Sequence, residues 1–315
     1  MRLKSITAAL GVCSAVACKL SLAACGTSFC SVDSDWEAGE LGLPGSTRME
    51  LRFEFLDQDQ LRHGTHRVAA GEVPSHHDEL RTINRNVLIA AERALNPSWA
   101  IAAQLPAVSR SHRHLQHHHE HGHDETIPED WNIRAAGDLR LNLRYQSEAA
   151  RTFGLGLKLP TGSYRERNAE GELAERSLQP GSGTTDGLFE AVWRAGGGGW
   201  VPRSFGVRVQ AAIAARDGYR PGASLQFNAA WRPASFGVID LELQTNATVR
   251  QRDAGAAAER DDSGMAALFA SAGLSWSVNL QQRWFAYVQV PLWQRVNGVQ
   301  LTADWGFVSG WRGSF

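Results

Sequence analysis

Several things are scarce in this 315-residue sequence, and each scarcity excludes something. No stretch of about 18 apolar residues follows the N-terminal segment, which argues against a membrane protein built of helices; if the chain crosses a bilayer, strands must do it. Charge of one sign is not in excess: 32 Lys and Arg stand against 33 Asp and Glu, so nothing points to nucleic acid or to an acidic substrate. Catalytic signatures are missing. There is no Gly-x-Ser-x-Gly elbow, and Gly196 to Gly199 follow Trp193 without the helix and basic anchor a phosphate loop needs. Cysteine is limited to four residues, the last of them Cys30.

The chain opens with an export signal. Arg2 and Lys4 make a basic start, and Ile6 to Ala17 is an apolar stretch too short to span a bilayer. Residues 1–24 are read as the signal peptide, with cleavage after Ala17 or after Ala24. Each site precedes a cysteine, Cys18 or Cys25, and resembles a lipid-attachment box, so lipidation stays open; Lys19 favours the earlier site. Residues 25–48 are expected to form a periplasmic N-terminal segment, in which oxidising conditions should pair Cys25 with Cys30.

What is abundant is alternation. Met49, Leu51, Phe53 and Phe55 share one face while Glu50, Arg52 and Glu54 share the other, which is the period of a strand. The pattern recurs twelve times, near Met49, Thr82, Trp99, Leu139, Phe153, Leu188, Phe205, Leu225, Ile239, Leu268, Trp284 and Leu301. Each run is about nine to eleven residues, the length a tilted strand needs to cross a bilayer.

Alternation alone does not say which face is inside. Three features choose a membrane barrel over a soluble sandwich. The polar face carries Arg, Glu, Asp, Gln and Asn on most strands, which suits a wet lumen. Trp99, Tyr145, Trp193, Trp231, Trp276 and Trp284 fall near strand ends, as girdle residues do. Connections alternate in length: in one set 58–81, 109–137, 160–184 and 250–264 are long and only 216–221 and 293–297 short, whereas in the other 95–98, the region around Ala149, 232–235 and 279–282 are tight and only the Gly-rich 195–203 is not. The expected fold is therefore all-β, a closed antiparallel up-and-down barrel of about twelve strands over residues 49–315, in the outer membrane of a Gram-negative cell. Its second long connection is expected to be a His-rich extracellular loop, 109–136.

The last strand is the sharpest local signal. Counting back by twos from Phe315 gives Trp311, Phe307 and Trp305, an aromatic face resembling the terminal strand by which such barrels are recognised for assembly. The barrel-assembly machinery and outer-membrane lipid are thus the expected partners.

A family resemblance follows from three stretches: Gly137-Asp138-Leu139-Arg140, then 153–162 ending in Pro160-Thr161-Gly162, then Gln179-Pro180-Gly181-Ser182-Gly183-Thr184. Together they resemble the transporter-like outer-membrane barrels named for the meta-pathway of phenol degradation, most clearly from Gly137 to Trp193 and loosely to Phe315. The resemblance implies an outer-membrane channel without naming its solute. The His-rich loop and the cysteine segment depart from the family pattern.

Two constellations are candidates for function. His112, His114, His117, His118, His119, His121 and His123 crowd one loop, and His76, His77, Asp78 and Glu79 another; imidazole with carboxylate suits zinc, copper or nickel. The alternative is a solvated tract that binds metals weakly and does nothing else. Inside the barrel, Arg52, Glu54, Arg85, Arg140, Arg144, Glu190, Arg208 and Glu242 are expected to line the lumen, either selecting solutes or pairing across it to plug it. The reading is a channel or transporter-like barrel for small solutes, not an enzyme and needing no cofactor. Its alternatives are a non-conducting barrel that sequesters or senses metal, and an outer-membrane lipid hydrolase.

Overall fold

The computed structural model describes residues 30–34, 43–73, 78–120, 123–147, 150–195 and 199–315, with backbone alone at 78, 116–120 and 123–127. Residues 1–29, and with them the export signal and Cys25, lie outside the described residues. Among the described residues fourteen strands follow one another: β1 Thr47–His63, β2 His66–Arg67, β3 Asp78–Ala94, β4 Trp99–Glu120, β5 His123–Ala136, β6 Leu139–Ser147, β7 Arg151–Leu159, β8 Asp186–Arg194, β9 Ser204–Ala212, β10 Ser224–Phe236, β11 Ile239–Arg250, β12 Met265–Ser277, β13 Gln282–Val296 and β14 Val299–Ser314. Twelve of them form a closed antiparallel ring, each paired with its successor, and β14 closes on β1 from Arg48↔Ser314 to His63↔Val299. Two stand outside it: β2 pairs only β1, and β5 pairs only β4.

Burial along the strands is the inverse of a soluble protein. Glu242, Asn84, Asn86 and Asn246 are fully buried, whereas Leu155 is 67% and Leu292 60% exposed. The oily face therefore points outward to hydrocarbon and the polar face inward, as a bilayer requires. Closure satisfies every ring strand's backbone groups without leaving an edge in lipid. The protein is a transmembrane β-barrel of the outer membrane.

Two expectations need correction. Strands were expected at nine to eleven residues, but β1 and β3 have 17 each and β4 has 22. Apolar alternation marks only the stretch that touches lipid; beyond it the pairing continues with polar residues on both faces. For the same reason 109–136 is no loop. It is the hairpin of the upper part of β4 with β5, in register from Ala107↔Ala136 to Glu120↔His123.

Candidate functional site

The lumen holds the site, and the first thing in it is the chain's own N-terminal segment. Residues 25–48 were expected in the periplasm, yet residues 30–34 lie inside the barrel, bonded to β1, β9, β11, β13 and β14. The physical reason is that their alternation matches a two-sided interior. Cys30 and Val32 pack against Leu56, Phe285, Tyr287, Ala303 and Val308. Ser31 and Asp33 meet polar wall. Gln289 accepts from the Ser31 amide at 3.1 Å and donates to its hydroxyl at 2.8 Å. Gln244 accepts from the Asp33 amide and donates to its carbonyl, both at 2.9 Å. Two wall glutamines thus complete backbone groups that would otherwise be orphaned in a buried place. Two glycines of β14 make room: a Cβ at Gly306 would meet the Cys30 sulfur at 2.8 Å, and one at Gly310 would meet the Phe285 ring at 2.5 Å. Cys30 is buried, and Cys25, its expected partner, lies outside the described residues.

Around this segment the charged residues form chains of ion pairs. Arg144 on β6 spans Glu92 on β3 at 2.6 Å and Glu190 on β8 at 2.5 Å, with Arg48 of β1 on the far side of Glu92. Arg208 on β9 continues the chain, 3.7 Å from Glu190 and 2.9 Å from Asp33. Further along β1, Arg52 meets Glu54 at 3.0 Å and the Ser34 hydroxyl at 2.9 Å, while Arg312 of the adjoining β14 binds the Ser34 carbonyl and Glu50. Glu242 accepts from the Tyr287 hydroxyl and, at 2.6 Å, from Ser275, with Arg232 at 3.6 Å. Arg140 donates to Gln210 at 2.9 Å. Buried carboxylates and guanidiniums are tolerable here because each is met by opposite charge or by a hydrogen-bond partner.

Arg85 is the exception among the residues assigned to the lumen. It is exposed, and its strand neighbours Asn84 and Asn86 are the buried ones, so a period of two turns it outward. It stands level with Phe55 and Ser109, where the outer face leaves the oily band; Asp57 and Arg81 pair just beyond it at 2.5 Å.

At the long-loop end a second latch closes over the wall. Lys158 on β7 is buried between Asp138 at 2.9 Å and Asp186 at 3.2 Å, and also meets the Ser182 hydroxyl. Asp138 accepts in addition from the Gly162 amide at 3.0 Å and the Ser182 amide at 2.9 Å. A Cβ at Gly162 would strike the Gly137 backbone, and one at Gly181 the Gly162 carbonyl. The three stretches that carry the family resemblance are thus one joint, which folds connection 160–185 back onto the barrel. Arg110 ties the same connection down, donating to the Leu178 carbonyl at 2.5 Å and to Asn84 at 2.6 Å. Composition and spacing gave no sign of Lys158, Asp186, Asp33 or Gln289, because only closure brings them face to face.

The histidines divide. On the upper hairpin, His112 is bonded to the Thr82 hydroxyl at 2.7 Å and His114 to Glu129 at 3.1 Å, both packed beside Trp131. Glu79 accepts from the Leu301 amide at 3.0 Å. His76, His77 and His121 lie outside the described residues, as do the side chains of Asp78, His117, His118, His119 and His123. Among the described residues no three His, Cys, Asp or Glu are grouped to hold a metal. Trp305 of β14 and Phe315 just after it are exposed, and Trp311 lies 6.1 Å from the Phe315 ring.

With this geometry in hand, comparison with solved structures is informative. The COG4313 outer membrane channel from Pseudomonas putida F1 superposes with a TM-score of 0.63 at 14% identity, over 90% of this chain and 99% of that one. The two share a fold. A Pseudomonas aeruginosa FadL homologue (TM-score 0.41, 10% identity, 92% and 96% covered) and the Ralstonia pickettii toluene transporter TbuX (0.35, 11%, 88% and 91%) are more distant barrels. No family model and no curated protein matches the sequence.

Proposed function

We propose that the protein is a passive outer-membrane channel for small solutes whose route is shut at rest by residues 30–34. The observation that carries this reading is how the segment is held. It sits inside a complete barrel on hydrogen bonds, ion pairs and a small apolar patch, contacts that can be exchanged without breaking the wall. A lumen needed only for rigidity would be filled by wall side chains. The shared fold with an outer membrane channel supports the reading. Planar-bilayer recording tests it: replacing residues 30–34 by a Gly-Ser stretch of equal length should raise conductance well above that of the unaltered chain. Equal silence from both, with the variant correctly folded, would sink the channel.

A second reading, metal capture at the cell surface, is favoured by the register of the hairpin. His118 stands opposite Glu125, His119 opposite Asp124 and Glu120 opposite His123. Directly opposed strand positions are about 5 Å apart, close enough for an imidazole and a carboxylate to share zinc, copper or nickel. Calorimetry with zinc and copper on the full chain and on a chain lacking residues 112–123 decides this: unchanged binding removes metal capture.

A further inference from the structure

The outward apolar face ends at the short-turn rim in a girdle that includes Trp193, Phe205, Ile239, Trp276 and Trp284. Along half of that rim the oily surface does not stop there. Trp200 is 77% and Val201 54% exposed in connection 195–203; Phe236 and Val238 are 69% and 63% exposed around the β10–β11 turn; Val278 is 58% and Leu280 fully exposed in the β12–β13 turn. These three turns are neighbours around the wall, because β8 to β13 pair in sequence order. Across the barrel the β3–β4 turn offers Leu95 followed by Asn96, Pro97 and Ser98, with the exposed Leu43 near it and Arg93 exposed at girdle level.

Six large apolar side chains on consecutive turns are more than scattered surface residues, and a patch of this kind marks a contact. It runs directly into the lipid-facing band above it, and the surface it continues is already one that hydrocarbon covers. Across the barrel the Arg93 guanidinium at girdle level suits a phosphate group, reached by a side chain that lies along apolar surface. We propose that the turns of β8 to β13 are a lipid-docking surface that dips into the acyl boundary of the periplasmic leaflet, while Arg93 on β3 holds the rim across the barrel at the phosphates.

Nitroxide labelling of the full chain, with native cysteines changed to serine, tests this in phosphatidylethanolamine and phosphatidylglycerol vesicles. Val238→Cys, Val278→Cys and Leu280→Cys are compared with Ser98→Cys, each variant first checked for heat-modifiable migration; Trp200→Cys replaces any that fails to fold. Accessibility to oxygen relative to a water-soluble nickel chelate should be several-fold higher at the three apolar sites than at Ser98. Ratios equal to that of Ser98 would overturn the proposal. So would protection from both agents, which would mean that protein, from a second copy or a periplasmic partner, covers the rim.

Discussion

Arg208 of β9 donates to the Asp33 carboxylate at 2.9 Å, joining the barrel wall to the segment inside it. Asp33 is almost wholly buried, and its backbone is held on both sides by Gln244. A hydrogen bond to a charged group contributes about 1.5–3 kcal/mol net, which is roughly a ten- to hundred-fold bias on any equilibrium that breaks it. Asp33→Asn should therefore raise the open fraction in single-channel recordings by about ten-fold or more. Arg208→Gln should do the same, and the double variant should add little, since both remove one interaction.

Lys158 stands between two buried carboxylates. Lys158→Met leaves Asp138 and Asp186 without their cation, a loss of about 3–5 kcal/mol for a broken buried pair. Connection 160–185 should loosen before the wall does, since the ring keeps its ladder. Tryptic cleavage after the exposed Arg165 and Arg167 should quicken by about ten-fold or more, while heat-modifiable migration persists. Unchanged cleavage would show that the connection is held by its other ties, Arg110 to Leu178 and Arg165 to Asp217 among them.

Phe315 exchanges backbone hydrogen bonds with Thr47 at the β1–β14 seam, and its exposed ring approaches Trp311. So exposed a side chain adds little to the finished barrel, about 0.5 kcal/mol by the usual range for surface sites. Phe315→Ser is thus expected to impair insertion in cells while leaving the melting of assembled protein within a degree or two. Normal yield of heat-modifiable barrel would count against a terminal assembly signal.

Asp217, in the β9–β10 connection, accepts from Arg165 at 3.0 Å and from the Tyr164 hydroxyl at 3.1 Å. These contacts, Arg165 first, hold its carboxyl below the ordinary range. A folded-state pKa below the unfolded value gives a tie that is fully present above the ordinary carboxylate range and lost as pH falls through the lowered value. Carbon NMR of the Asp217 carboxyl should show that lowered midpoint, and Arg165→Gln should move it back up. A midpoint unaffected by the substitution would mean the pair does not persist in water.

The sequence by itself determined the barrel. Twelve stretches of period-two alternation, tight connections at one end and long ones at the other, and an aromatic final strand suffice, because side-chain direction in a strand is fixed by position and lipid accepts only one face. It also fixed which parity lines the lumen, although Arg85 was assigned across that parity and stands outside. Strand ends were not legible, since pairing in water needs no apolar stripe: β4 runs to Glu120 through the histidines and makes a hairpin of an expected loop. Only the tertiary structure decided what fills the barrel. Residues 30–34 alternate over too few positions to mark an element, and their place depends on Gln244, Gln289, Arg208 and Arg312 converging from four different strands. Such convergence is a property of ring closure, joining residues up to 278 positions apart, and no local period encodes it.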